Sequence, residues 1–190
     1  MISKELVKEF VIAGHGNLER VRELLQAHPD LLNAAHDWGE ANTTETALEA
    51  AGHTGNRAIA EFLLEQGAAL NVFVAAMLGR TAEVERFLEA DPALITARGV
   101  HGISLMYHAA LSGDTSLTQM LLDRGAVKGF SHALHAAVSF GHYAMVEWLL
   151  TNGADDIDVP NYAGQTPMDL ALERGDKATA ELLRKRGAGV

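Results

Sequence analysis

The sequence predicts an all-α solenoid of about six stacked helix-turn-helix units, and three observations predict it. A pattern of two short helices recurs with drift along the 190 residues, a glycine separates the two helices of each pair, and neither helix is long enough to be stable alone. The clearest copy is Ala133 to Asp155, ALHAAVSFGHYAMVEWLLTNGAD. Its small residues Ala133, Ala136 and Ala137 make a narrow first helix ending at Gly141, a residue suited to a left-handed turn. Met145, Val146, Trp148, Leu149 and Leu150 fall at helical spacing in the second, which Gly153 stops. Each unit must stack on a neighbour to bury its apolar face.

Composition narrows the class of partner. A hydrophobic fraction of 48% is ample for a core, and a formal net charge of -10 argues against nucleic acid or an anionic membrane as a partner, since both demand basic patches. The basic run Arg184-Lys185-Arg186 sits in a final helical turn, where cations complement the helix dipole. With no cysteine there is no disulfide, thiol nucleophile or thiolate metal site, which fits a reducing compartment. The charged start MISKELVKEF has no apolar signal core and no run reaches membrane-spanning length, so a cytoplasmic protein is expected.

The elements follow in order. Ser3 is the expected N-cap of a first helix through Ile12, and a second runs from about Leu18 to Gln26 and stops at His28-Pro29, because proline cannot continue it. The stretch LLNAAHDWGEANTT, to Thr44, reads as the longest irregular loop. Thr46 to Ala68 repeats the two-helix unit around Gly55. The stretch from Phe73 to Ala97 matches Phe10 to Ala34 more closely than its own neighbours: Phe10 pairs with Phe73, Gly16 with Gly79, Leu25 with Leu88, and Pro29 with Pro92. Ser104 to Ala126 and Thr166 to Ala188 flank the organising copy. Gly16, Gly55, Gly79, Gly113, Gly141 and Gly175 each precede a second helix, and the last two are 34 residues apart. The expected units are 3–36, 37–70, 71–100, 101–127, 128–157 and 158–190, in one domain.

TPMDLALERGD at Thr166 and TALEAAGHTGN at Thr46 resemble the TPLHxAAxxG signature of ankyrin repeats. LLEQGA, LLDRGA and LLTNGAD resemble the segment that closes each repeat, and the spacing sits near the period of about 33 residues. The resemblance covers almost the whole chain. It implies a curved stack whose short first helices line a concave face, with hairpin-like fingers beside it, and it implies a protein-binding scaffold without catalysis. His28-Pro29 and Asp91-Pro92 depart from the closing Gly-Ala, and Arg184 replaces the leucine found at Leu64, Leu122 and Leu150, as expected of a polar capping unit.

That geometry points to the residues late in each first helix: His15, His53 with Thr54, Met77 with Leu78, Leu111 with Ser112, Ser139 with Phe140, and Arg174. Met77, Leu78, Leu111 and Phe140 are expected to form an exposed apolar patch for a partner. Trp38, in HDWGE, is either a binding anchor or a plug over the first two units; Trp148, at a core position of a second helix, reads as structural. His132 and His135 have ligand spacing, but His135 holds the histidine position of the TPLH signature, which in the family is structural. His36, Asp37, Glu40, His53, His101 and His108, with Tyr107, are the alternative: if the long loop folds over the first helices, they converge on one pocket. No GxSxG, GxxxxGK[ST] or HExxH is present.

The expected function is non-catalytic recognition of a protein, with a basic partner favoured by the acidic charge, through Trp38, His53, Met77, Leu78, His108, Leu111, Phe140 and Arg174. No cofactor, no metal, and a monomer or weak homo-oligomer go with that reading. The alternatives are an inhibitor or immunity-type partner that caps an enzyme, with the Trp38 loop as its plug, and a small-molecule or metal-dependent enzyme using His53, His101, His108 and Glu40.

Overall fold

Helices begin where the sequence supplies a cap. In the computed structural model, which describes residues 2–41 and 43–189, the side chains of Ser3, Asn17, Thr46, Asn56, Asn71, Ser104, Asp114, Thr166 and Asp176 each accept a hydrogen bond from a backbone N–H in the first turn of the helix that follows. Thr46 with Glu49 and Thr166 with Asp169 form reciprocal capping boxes. Twelve α-helices result among the described residues. None of the helices is long and apolar enough to cross a membrane among the described residues.

The chain divides into two compact units, the first containing residues up to Leu94 with Arg98–Ile103, the second Ile95–Ala97 and the residues from Ser104 on. The N-terminal unit holds α1 (Lys4–Gly14), α2 (Leu18–Ala27), β1 (Ala35–Asp37), β2 (Thr44–Thr46), α3 (Ala47–Thr54), α4 (Arg57–Glu65), α5 (Val72–Met77) and α6 (Thr81–Ala90). The helices α1, α3 and α5 pack side by side, each with its own second helix behind it. Small residues permit this. A Cβ on Gly14 would stand 2.6 Å from the backbone oxygen and 2.8 Å from the Cα of Ala47, so α1 and α3 touch through backbone. Phe10, Val21, Leu31, Ile59, Leu63 and Val74 fill the space between the helices and are fully buried.

The C-terminal unit repeats the plan with α7 (Leu105–Ser112), α8 (Thr115–Asp123), α9 (Phe130–Phe140), α10 (Tyr143–Asn152), α11 (Pro167–Glu173) and α12 (Lys177–Lys185). Here α9 packs on both α7 and α11, and α10 packs on α8 and α12. Gly55, Gly79, Gly113, Gly141 and Gly175 all have φ near +70°, the left-handed turn that the repeat requires. Gly16 departs: His15 ends α1 in a right-handed conformation.

The helix boundaries agree with the sequence reading to within two residues for α1 and α2, and both proline stops become short 3-10 turns, Pro29–Leu31 and Pro92–Thr96. Two expectations need correction. The stretch read as an irregular loop contains a two-stranded antiparallel hairpin, pairing Ala35 with Thr46, His36 with Glu45 and Asp37 with Thr44; alternation over three residues is too short to stand out. Trp148 is part-exposed rather than core: its ring stacks on Phe130 at 6.0 Å and its indole N–H donates to Gln119 Oε1 at 3.2 Å.

Candidate functional site

A glutamate with no accessible side-chain surface is the centre of the N-terminal unit's polar chemistry. Glu45 is the middle residue of β2, where the two-residue period turns it inward between the more exposed Thr44 and Thr46. Thr46 is at once the last residue of β2 and the N-cap of α3, so the carboxylate is fixed relative to that helix. The hairpin turn is held by Thr43, whose hydroxyl donates to the Glu40 carbonyl at 2.6 Å and accepts from the Glu40 N–H at 3.1 Å.

Three histidines from three other places point their Nε2 atoms at this one carboxylate. His53, from the last turn of α3, lies 2.7 Å from Oε1; His15, from the end of α1, lies 3.6 Å from Oε2; His101, from a turn at Val100–Gly102, lies 3.8 Å from Oε1. His53 stacks edge-on against both others, with ring centroids 5.1 Å from His15 and 5.2 Å from His101. The side chains of His15 and His101 are about one-third exposed and that of His53 14% exposed, so the buried carboxylate lies behind an accessible imidazole rim.

Two details define the chemistry. The Nδ1 of His15 lies 3.1 Å from the Val11 carbonyl, an acceptor, so Nδ1 carries a proton and Nε2 is turned toward Glu45. Trp38 donates its indole N–H to Glu45 Oε2 at 3.0 Å. Burial pushes the Glu45 carboxyl pKa up, but the hydrogen bond from His53, the charges of His53 and His15, and the Trp38 hydrogen bond outweigh it and leave it below its ordinary value. The carboxylate is ionised, and among the described residues no lysine or arginine pairs with it. The donor atoms of His15, Glu45 and His53 all lie within 4.8 Å of one another, close enough to share one cation.

His101 has φ of +58°, the sole non-glycine residue with positive φ among the described residues. It sits next to Gly102, at φ +71°. A side chain in this conformation costs on the order of 1–2 kcal/mol, a strain that tends to accompany function.

The anticipated pocket is therefore half right and differently composed. His53 and His101 converge. His108 belongs to the C-terminal unit, where it is buried with Nδ1 donating to the Ser104 carbonyl at 2.9 Å. Glu40 and Asp37 are exposed, and His36 stacks on Trp38 at 4.5 Å without reaching the carboxylate. Glu45 and His15 take the missing places. The signal for His15 was its position matching that of His53 at the end of the adjacent first helix; Glu45, on a three-residue strand, had no signal of its own.

The exposed apolar patch is not formed as expected. Met77, Leu78 and Leu111 are 2%, 5% and 6% exposed, because a long side chain at a first-helix end folds back into the core. Phe140 remains 42% exposed beside Tyr143 at 43%, flanking Gly141, and its ring stacks on His142. Arg174 reaches the same turn, donating from Nη1 to the Ser139 carbonyl at 2.6 Å. Trp38 is part-buried, with its indole N–H spent on Glu45 and Lys8 Nζ 6.0 Å from its ring, an arrangement that covers the carboxylate. His135 has the structural role anticipated, donating to the Val159 carbonyl at 2.6 Å.

Comparison with known proteins gives the context. The family described as Ankyrin repeats (3 copies) matches residues 72–159 and 105–190. The chain is 28% identical over 127 residues to a putative ankyrin repeat protein of Fowlpox virus (strain NVSL), covering 63% of this chain and 28% of that protein. It is 26% identical over 196 aligned positions to the nuclear factor NF-kappa-B p105 subunit of Gallus gallus, covering 92% of this chain and 19% of that one. A shorter match, 34% over 55 residues, is to the I-Kappa-B like protein C2 of Microplitis demolitor bracovirus (isolate Webb). The matched stretches thus span 30% or less of the length of each of these relatives.

Proposed function

The chain belongs to the ankyrin-repeat family, and from that premise we propose that it is a non-catalytic recognition scaffold that binds a protein partner through the ends of its first helices and the loops beside them. Ankyrin repeats generally mediate protein–protein interaction and the family is typically non-enzymatic. The observation that carries the reading to particular residues is the turn at Gly141. Phe140 and Tyr143 stand exposed on either side of it, and the guanidinium of Arg174 is pinned against the backbone just before it. Aromatic and arginine side chains held in place before binding are the groups that anchor interfaces, because little conformational entropy is left to lose. The net charge of -10 supports a partner with a basic surface, whose association would slow as salt is added. The reading of residues 1–190 as six units acting in the cytoplasm belongs to the same proposal.

The test is capture on the immobilised chain, comparing wild type with Phe140→Lys and with Phe140→Lys combined with Trp38→Ala. A protein retained by wild type and lost by the still-helical single variant supports the reading and identifies the partner. Equal retention by all three would remove the Gly141 turn and the hairpin from the interface.

A further inference from the structure

We propose that His15, His53, His101 and Glu45 form a binding site for one divalent transition-metal ion, with Zn2+ as its best-matched occupant. This goes beyond protein recognition and does not depend on it.

The first argument is dimensional. Two ligand atoms on a tetrahedral zinc ion are about 3.4 Å apart when each bond is about 2.1 Å. The separations of 3.6 Å for His15 and 3.8 Å for His101 from the carboxylate already have that size, and the His53 contact opens to it from 2.7 Å. The donor atoms of His15, His53 and Glu45 already lie within 4.8 Å of one another, and His101, whose Nε2 is 3.8 Å from the carboxylate but outside that group, completes a set of four by moving inward with the Val100–Gly102 turn.

The second argument is the orientation of the ligands. Metal-binding histidines donate their other ring N–H to a carbonyl or carboxylate, which sets the tautomer and aims the lone pair. His15 does this through Val11, which fixes the ring so that Nε2 faces the carboxylate oxygen. The Trp38 indole supplies the corresponding outer hydrogen bond to the carboxylate. The third is the backbone at His101. A glycine would occupy φ of +58° at no cost, and the histidine placed there has its Nε2 directed at the carboxylate.

The donor set chooses the ion. Imidazole nitrogens with one carboxylate favour zinc, iron, nickel or copper over calcium and magnesium, which take oxygen ligands, and the chain has no cysteine to recruit a softer ion. Bound there, the ion would join four segments of the N-terminal unit and hold the Trp38 hairpin against α1 and α3.

The experiment is calorimetric titration of the tag-free, EDTA-stripped full chain with Zn2+, with Co2+ absorption as a readout of ligand geometry. Wild type is expected to bind one ion and to gain thermal stability as the ion is added. His15→Ala and His53→Ala should weaken binding by at least about 100-fold, Trp38→Phe by about 10- to 100-fold, and His132→Ala on the exposed surface not at all. His101→Gly separates ligation from folding. Glycine relieves the backbone, so the metal-free variant should unfold at an equal or higher temperature while binding Zn2+ at least about 10-fold more weakly. If His15→Ala or His53→Ala fails to fold, His101→Gly carries the test alone. Absence of zinc binding by wild type, or wild-type affinity in His101→Gly, overturns the proposal.

Discussion

His53 Nε2 lies 2.7 Å from Glu45 Oε1, and this contact joins a rim accessible to solvent to a carboxylate with no accessible surface. The pair explains why a charged group is tolerated between α1 and α3. Glu45 also accepts from Trp38, so both of its oxygens are in use. Replacing Glu45 by Leu strips His53 and Trp38 of their acceptor together and is expected to cost about 3 kcal/mol, whereas Glu45→Gln retains an acceptor for one of them and costs less. Urea unfolding in the presence of EDTA measures both variants. Equal stability of Glu45→Leu and wild type would show that the network contributes nothing to folding.

Gly14 sets the distance on which the cluster depends. Any side chain there meets the backbone of Ala47, so Gly14→Ala must push α1 from α3, at an expected cost of about 1–3 kcal/mol. His15 moves with α1 and His53 with α3. The contact between their rings, measured by histidine NMR shifts, should loosen together with the loss of stability. A variant as stable as wild type would mean that the helices part freely.

Leu111 and Phe140 were expected to share one exposed patch, and the structure separates them. Leu111→Lys places a charge at a site only 6% exposed and should cost about 3 kcal/mol or more, while Phe140→Lys should stay within about 0.5 kcal/mol of wild type. Thermal unfolding of the two single variants distinguishes them. Similar losses would place Phe140 in the core.

His135 makes the C-terminal unit sensitive to acid. Burial, with a smaller contribution from His132, holds its pKa below the ordinary 6.5, although its hydrogen bond to Val159 opposes them. Its other ring nitrogen is buried with no hydrogen-bond partner among the described residues, so a second proton there would be unpaired. The folded-state pKa is the lower one. The stabilisation is therefore present above the unfolded-state value and is lost as pH falls below about 6.5 toward the folded-state value. His135→Gln keeps a donor for Val159 and does not titrate, so it should flatten the fall in stability between neutral and mildly acid pH. An unchanged pH profile would contradict this assignment.

Much of the fold was legible because it repeats. Caps such as Thr46 and Thr166 and turn glycines such as Gly141 act within one or two turns of chain, and a local signal seen several times in register averages out its own ambiguity. The functional cluster lacked that advantage. His15 and His53 share a repeat position, but Glu45 lies on a three-residue strand and His101 in a short turn between helices, so their meeting depends on packing. The misreading of Met77 and Leu78 has a related cause. Periodicity gives the side of a helix a residue occupies, whereas the direction of a long side chain at its end is set by the space its neighbours leave.

The most direct measurement is a crystal structure of the full chain grown with zinc, with anomalous data collected at the zinc absorption edge. The account predicts a single strong anomalous peak about 2.1 Å from Nε2 of His15, His53 and His101, between them and the Glu45 carboxylate. Zinc found only on exposed histidines such as His28 or His132, with His53 still hydrogen-bonded to Glu45, would contradict it.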